Sequence, residues 1–511
     1  MTGGGLISLV AYGSQNVLLS GNPQMTYFYK AFRRYSHFAI ENITTAMDGP
    51  NELFYDQTIK LRAKIQRSGD LLSDMYFTFR IPDIFSKYIQ PTAQRSAQYQ
   101  FQWVRYLGAA IINNAAFYVG GQKIQEFTGT YLMSKAVVDY DIDTFEKWRV
   151  LVGDTNELSD PSKGIYAGGT NSTGYPSVFP SGQTNRPSIF GQDIFVPLPF
   201  WFAEATSQAL PLVGLQYHDC EVQLTLNPIE QLYTYLDVSG FRVSPNFRMS
   251  APLSDIRMNI PEYGSTIDLS GQMRNFLTDF GTSIPAMNTW FLNPRIQSTY
   301  IYLPKDEQKI FATTPLSYLI YQVTAYPFLG LYNRQLLDLE THNPITRLLF
   351  INQRSDTLAR NDFSNFTNWW NFPHPPYSPT PGQTPMNISA FSSGVLVPQG
   401  QMNILRSIRV LCDGNELQEE KPVEFFTKIS PFRYVTGSPK TLIPIYSFAL
   451  HSPSTQPSGS INSSRIRNFQ VEVDVYPLPT NTTYTYDLTI YVENINFFEV
   501  TSGMGGIKYA L

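Results

Sequence analysis

The side chains in this chain that can ligate, attack or shuttle protons are few and scattered. Five histidines occur, at His37, His218, His342, His374 and His451, and none has a second His or Cys at metal-ligand spacing. The G-x-S-x-G spacing that lifts a serine nucleophile onto a strained turn is absent. Asp139, Asp141 and Asp143 place three carboxylates within five residues, a pattern able to hold a cation. No EF-hand glycine or closing glutamate follows, so the spacing reads as a solvated acidic turn. Glycine runs at Gly3-Gly4-Gly5 and Gly503 to Gly506 lie at the ends without P-loop or dinucleotide spacing and read as flexible arms. Nothing here requires a catalytic residue, a metal or a cofactor.

The remaining candidates are sites of contact. Six N-x-S/T sequons occur, at Asn42, Asn171, Asn365, Asn387, Asn462 and Asn481. Asn171, Asn365 and Asn387 fall in long polar loops, where a glycan would have room. Trp369 and Trp370 stand together in such a loop. Exposed, they would form an aromatic contact platform; otherwise they pack inside a folded loop or a subunit contact. Lys30, Arg33 and Arg34 form one small basic cluster, either a solvated edge or a contact to an acidic neighbour or membrane surface. The net charge of −4 supplies no field for nucleic acid, so no direct genome binding is expected. Two cysteines, Cys220 and Cys412, are too few for a disulfide framework. Both sit on the apolar side of expected strands and read as small hydrophobes in a reducing compartment.

Period-2 alternation dominates the elements that must carry these residues. Ile59, Leu61, Ala63 and Ile65 alternate with basic residues, and Met75, Phe77, Phe79 and Ile81 alternate with polar ones. Ser68-Gly69-Asp70 lies between the two runs and predicts a hairpin. The same rule holds for Cys220 to Leu226, Phe469 to Val475 and Tyr486 to Val492. Strands with one wet and one dry face belong to antiparallel sandwiches. The uncharged run from Ile310 to Asn333 holds Pro315, Pro327 and several polar residues, too broken for a spanning helix. It reads as buried strands and a turn. Helices are predicted only at Glu126 to Val138 and Pro422 to Ile429. Charged residues make up only 15% of the chain, against roughly a quarter in ordinary domains, so part of the surface is expected to meet protein.

The chain also repeats itself, at separations of about 250 to 290 residues. Val119-Gly120-Gly121-Gln122-Lys123-Ile124-Gln125-Glu126 matches Cys412-Asp413-Gly414-Asn415-Glu416-Leu417-Gln418-Glu419. Val196-Pro197-Leu198 matches Ile443-Pro444-Ile445, and Cys220 to Leu224 matches Phe469 to Val473. Three matches in one order imply one β domain present twice.

Longer motifs carry a resemblance. Gly5 to Gly13 (GLISLVAYG), Leu19 to Thr26 (LSGNPQMT), Arg33-Arg34-Tyr35 and Phe38-Ala39 resemble the start of the major capsid proteins of nucleocytoplasmic large DNA viruses. So do Tyr300 to Leu303 with Asp306-Glu307, Ser447 to Leu450 with Gln456 to Gly459 and Asn462 to Arg465, and the tail from Asn494 to Gly506. The resemblance implies an all-β double jelly roll, two eight-stranded antiparallel β-sandwiches with long inserted loops and a few short helices. It implies an arm at 1–25, a first jelly roll at 26–303 with long loops at 153–191 and 227–294, and a linker at 304–310. A second jelly roll at 311–500 with a long loop at 354–399, and a tail at 501–511, complete it. The implied role is structural, not enzymatic: a homotrimeric, pseudo-hexagonal capsomer of an icosahedral virion. Its implied partners are neighbouring capsomers, minor capsid and penton proteins, and an internal membrane, with synthesis in host cytoplasm at virus factories. The competing reading is a tandem β-sandwich carbohydrate-binding module built around Trp369 and Trp370. A β-sandwich glycosidase, which needs two facing carboxylates, is a third.

Overall fold

The computed structural model describes residues 3–30, 32–86, 100–167, 174–176, 186–236, 242–245, 271–278, 283–368, 403–437, 443–451, 456–478 and 484–509. The first lobe has eight main strands: β1 (Ala39–Ala46), β2 (Ile59–Lys64), β3 (Leu71–Arg80), β4 (Ile112–Val119), β5 (Gln122–Thr128), β6 (Asp193–Pro197), β7 (Cys220–Leu226) and β8 (Arg295–Tyr302). They form two antiparallel sheets, in the orders β1-β8-β3-β6 and β2-β7-β4-β5. The second lobe repeats this with β9 (Leu316–Leu331), β10 (Gln335–Asp338), β11 (Pro344–Arg354), β12 (Leu405–Cys412), β13 (Asn415–Pro422), β14 (Ile445–Ser447), β15 (Phe469–Val475) and β16 (Tyr486–Thr501). Its orders are β9-β16-β11-β14 and β10-β15-β12-β13, so each strand takes the place of the strand eight before it. Both lobes are jelly rolls. A last strand, β17 (Met504–Ile507), adds to β16.

The duplication extends to single residues. Between β3 and β8 the register slips at Ser73, and between β11 and β16 it slips at Thr346. Between β4 and β5 it slips at Ile124, and between β12 and β13 at Leu417. A bulge inserts one unpaired residue and turns the strand, so matching bulges superimpose the two lobes in register. The hairpins β4–β5 and β12–β13 both turn through two left-handed residues, Gly120 and Gly121 in one and Asp413 and Gly414 in the other. That is the I′ geometry, which matches the strand twist and favours glycine or aspartate. Cys220 pairs with Val119 and Phe469 with Cys412, so the third sequence match is exact in register. The Pro197/Pro444 match slips by one residue: Pro197 lies opposite Tyr76, while the Pro444 carbonyl accepts from Phe350, the equivalent of Phe77.

Alternation identified the strands but not their sheets. β2 pairs with β7, while β3 pairs with β8 and β6, so the expected Ile59–Ile81 hairpin does not form. Both apolar faces point into one core from opposite sheets, and Ser68-Gly69-Asp70 crosses between them. The run from Ile310 to Asn333 is likewise neither a set of strands nor a turn: it holds the end of a helix, Lys305–Thr313, and the single 16-residue strand β9. That helix covers the segment expected as a linker.

Phe77, Phe79, Phe117, Val222 and Leu224 fill the first core, and Leu348, Phe350, Val410, Val471, Val473 and Ile490 fill the second. Each such side chain contributes about 1.5–3 kcal/mol. Leu349, Ile351, Tyr491 and Phe498, on the outer face of the second lobe, belong to the first core. The hydrophobic interior of lobe one therefore continues across the boundary between lobes.

The N-terminal segment differs. α1 (Gly4–Val10) and α2 (Ser14–Ser20) bury no residue, and the described residues from Gly3 to Phe38 are all exposed.

Candidate functional site

The largest concentration of buried charge lies where the lobes meet. Helix α3 (Gly129–Asp139) starts at Thr128, whose hydroxyl accepts from the Tyr131 N–H at 3.2 Å. The expected helix began at Glu126, but β5 runs on to Thr128 before the chain turns. α3 is sandwiched: Leu132, Met133, Ala136, Val137 and Val138 are all buried. It presents Tyr131, Lys135 and Asp139 to the second lobe.

Arg347 on β11 answers them and is 0% exposed. Its Nε donates to Glu493 Oε2 at 2.6 Å and its Nη2 to Glu493 Oε1 at 2.7 Å. Nη2 also donates to Asp139 Oδ2 at 2.8 Å. Tyr131 donates its hydroxyl proton to Glu493 Oε1 at 2.7 Å, and Lys135 Nζ reaches Glu204 at 2.9 Å and Asp139 at 3.5 Å. Burial disfavours each charge, and the partners outweigh it. Burial pushes Glu493 up, but Arg347 holds it below the usual carboxylate range. Burial opposes the charge on Arg347, and Asp139 and Glu493 raise its pKa well above the ordinary value. Lys135 is raised in the same way by Glu204, Tyr131 and Asp139. A fork of Arg donors on two carboxylates has one good geometry, so this cluster fixes the angle between lobes.

Around it the seam is closed by side chain to backbone bonds and aromatic packing. Gln125 donates to the Tyr321 carbonyl at 3.0 Å, Gln322 to that of Ile124 at 2.6 Å, and Gln208 to that of Leu319 at 3.0 Å. Thr128 and Tyr491 share a 2.6 Å hydroxyl bond. Trp201 sits against Tyr318 and Phe498, at 5.2 and 5.3 Å between ring centroids. A cleft at the rim, between β5 and β9, has Lys123 and Glu126 as its titratable groups beside Tyr491, and the first two pair with each other at 2.8 Å. The arrangement is built to hold, and it presents no nucleophile with a base.

Asp139 is thus not part of a solvated turn: it is buried against Arg347 and Lys135. Among the described residues no three His, Cys, Asp or Glu side chains gather to hold a metal. Asn365 is 4% exposed, and its Oδ1 accepts from the backbone and hydroxyl of Thr367. It is therefore not the accessible sequon expected, because its loop folds back over residues 355–368 as a packed turn. Asn171, Asn387, Trp369 and Trp370 lie outside the described residues. Cys220 is buried, and burial pushes its thiol up to about 12, while Cys412 at its strand end is half-buried. Arg347 and Glu493 went unnoticed in the sequence. Their signal was a charge inside an apolar strand, Ile345-Thr346-Arg347-Leu348-Leu349-Phe350 and Val492-Glu493, because charged residues are almost never fully buried unless paired.

A second surface is open. The arm exposes Leu6, Leu9, Val10, Leu18 and Leu19, and the segment after it, up to Phe38, exposes Tyr27, Phe28 (99% exposed) and Phe32. That following segment carries Lys30, Arg33 and Arg34, and no acid occurs before Glu41. An apolar stretch of this size is a contact surface.

Comparison with known proteins agrees with this architecture. The family model for large eukaryotic DNA virus major capsid proteins matches residues 307–506, and that for the major capsid protein N-terminus matches residues 26–258. The chain is 23% identical over 575 residues to the major capsid protein of Phaeocystis pouchetii virus, covering 99% of each. It is 25% identical over 533 residues to that of Paramecium bursaria Chlorella virus 1, again covering 99% of each. Among solved structures, the Faustovirus major capsid protein superimposes with a TM-score of 0.64 at 15% identity, over 97% of this chain and 96% of that one. A chain of the PBCV-1 virus capsid gives 0.63 at 19% identity, over 95% and 100%.

Proposed function

Because the chain belongs to the major capsid proteins of large eukaryotic DNA viruses, a structural family of the virion shell, we propose that three copies close into a homotrimeric capsomer. Six similar lobes would give that ring a pseudo-hexagonal outline able to tile an icosahedral surface beside other capsomers. The observation that carries this reading is the pair of jelly rolls with one strand order, held at a set angle by the buried Arg347 cluster. A closed ring of three identical chains approaches six-fold shape only if each contributes two like lobes in a fixed relation.

In this reading 26–303 and 311–500 are the upright lobes, 304–310 joins them, and 501–511 is the tail. The loops at 153–191, 227–294 and 354–399 form the outer tower, where Asn171, Asn387, Trp369 and Trp370 would meet glycans or other molecules. Residues 1–25 run beneath the shell toward minor capsid and penton proteins and the internal membrane, in particles built at host cytoplasmic factories. The exposed apolar arm supports the last assignment.

Mass measurement of the purified protein tests the proposal. A trimer of the 58.0 kDa chain is expected, and a monomer at all concentrations refutes it. Deleting residues 1–25 should leave trimers intact and prevent shell assembly. Loss of trimers on that deletion would mean that the arm belongs to the ring.

A further inference from the structure

The seam inside the chain has a half-built copy on its outside. Within the chain, β5 and α3 of lobe one lie on the outer face of the β9-β16-β11-β14 sheet of lobe two. Lobe two carries the same covering elements: β13, a π turn at Phe425–Ile429, and helix α4 (Ser430–Tyr434) that continues it. These are bare. Ile124 is buried in the seam, whereas Leu417, its equivalent at the matching bulge, is exposed. α3 is enclosed from both sides, whereas Ile429 and Phe432 project outward, Phe432 at 89% exposure.

The receiving face is duplicated too. Counting from the matched bulges, Arg347 falls at Asp74, Leu349 at Tyr76, Glu493 at Thr299 and Tyr491 at Gln297. Val323 falls at Asn42 and Ala325 at Thr44 on the edge strand β1. In lobe two this face is covered by lobe one. In lobe one Ile40, Asn42 and Thr44 are exposed, and Asp74, Tyr76, Thr78, Gln297 and Thr299 are half-buried. The charges are reversed as well. The sheet position that holds Arg347 against the helix-end Asp139 holds an acid, Asp74, in lobe one. Among the described residues no cation pairs with Asp74, and burial pushes its carboxyl up with the Ser73 hydroxyl only partly offsetting it. Near the end of the lobe-two helix stand exposed Lys428 and Arg433, where α3 ends in Asp139.

Resting on the trimer reading above, we propose that β13 and the Phe425–Tyr434 helix dock on the β1-β8-β3 face of a second copy. Phe432 and Leu417 cover Ile40, Asn42 and Thr44, and Arg433 pairs with Asp74. The ring is thus one seam used six times, three times within a chain and three times between chains, with the charge polarity of the lock inverted between the two kinds.

The test is the dilution-dependent mass of the full-length chain. Phe432→Glu alters a side chain that touches no core, so it should unfold like the wild type and raise the concentration for half-dissociation of the trimer by about tenfold or more, as for a buried interface anchor. Asp74→Arg and Arg433→Glu should each weaken the trimer by about tenfold or more, as expected for like charges in an interface. The two together should recover most of the loss. Wild-type trimers that tolerate Phe432→Glu unchanged overturn the seam while leaving the trimer standing, and so does a double variant no tighter than its weaker parent. A wild type that never associates overturns the trimer itself. If Asp74→Arg does not fold, Phe432→Glu decides alone.

Discussion

Arg347 and Asp74 occupy one backbone position in two lobes and live in opposite surroundings. Each follows a one-residue bulge on the third strand of its lobe and points away from its own core. Arg347 is enclosed by two carboxylates, a tyrosine and the second lobe's neighbour, whereas Asp74 is half-open with a serine hydroxyl beside it. The inward residues next to them, Leu348 and Met75, are both buried. Duplication has therefore kept the backbone and the core, and the two lobes differ where they face outward. In this fold the outward face of the sheet carries the identity of the neighbour.

Matched substitutions break that comparison most sharply. Arg347→Met leaves Glu493 buried without its paired cation and Asp139 with only Lys135 at 3.5 Å, which should cost about 3–5 kcal/mol. Asp74→Asn in the dissociated chain should stay within about 0.5 kcal/mol, as surface changes do. Denaturant unfolding of both variants below the trimer concentration measures the gap, and equal effects would show that the Arg347 cluster does not hold the lobes. Acid should act on the same cluster. Glu493 is held below the usual carboxylate range, so its contribution is present above about pH 4.3 and is lost as pH falls through its lower folded value. Arg347 and Lys135 are raised above their ordinary values, so their contributions hold throughout the neutral range and fade only in strong alkali. Stability should then be flat near neutrality with an acid limb, and Glu493→Gln should flatten that limb while lowering the plateau. An acid limb identical in Glu493→Gln would place the titrating carboxyl elsewhere.

Tyr131→Phe probes the same lock more gently. It removes one donor from Glu493, whose remaining bonds to Arg347 stay. A hydrogen bond to a charged group contributes about 1.5–3 kcal/mol, and the unfolding midpoint should fall accordingly. Tyr76→Phe at the sheet position of Leu349 in lobe one, half-exposed, should change little.

Much of this architecture was legible in alternation and repetition, for physical reasons that also set the limit. The strands β2, β3, β7 and β15 announce themselves because each has one dry face, and β16 does so through the alternation at its start, Tyr486 to Ile490, before the seam buries both its sides. The hairpin repeats announce the duplication because a two-residue left-handed turn accepts few residue types. Alternation carries no information about which of two facing sheets a strand joins, so β2 and β3 read as a hairpin. The lock was illegible for a related cause. Arg347 bonds Glu493 and Asp139 across 146 and 208 residues of chain, and only the fold brings them together. Asn365 read as an open sequon because its polar neighbours Thr367 and Asn368 look solvated in the sequence, yet they bond within the protein, Thr367 to Asn365 and Asn368 to the Asn403 carbonyl.

The hairpin turns offer the smallest and most exact comparison of the lobes. Gly121 and Gly414 have φ of +82° and +80°, and a Cβ at either would meet nothing within 4 Å. Gly121→Ala and Gly414→Ala should therefore cost the same, about 1 kcal/mol of left-handed strain each. Gly120 is different. A Cβ there would come within 2.7 Å of the His218 ring, whose Nδ1 lies 2.9 Å from the Gly505 carbonyl oxygen on β17. Gly120→Ala must strain the backbone and also push that ring off the C-terminal strand, so it should cost more than either partner. Asp413, the equivalent in lobe two, already carries a side chain at φ +47° and uses its carboxylate to accept from the Arg467 and Asn468 N–H groups. Repeating Gly120→Ala in a His218→Ala background removes the obstruction, and the cost should then fall to that of Gly414→Ala. A cost unchanged by His218→Ala would mean that the strain resides in the turn itself, and that the two hairpins differ in backbone rather than in what leans on them.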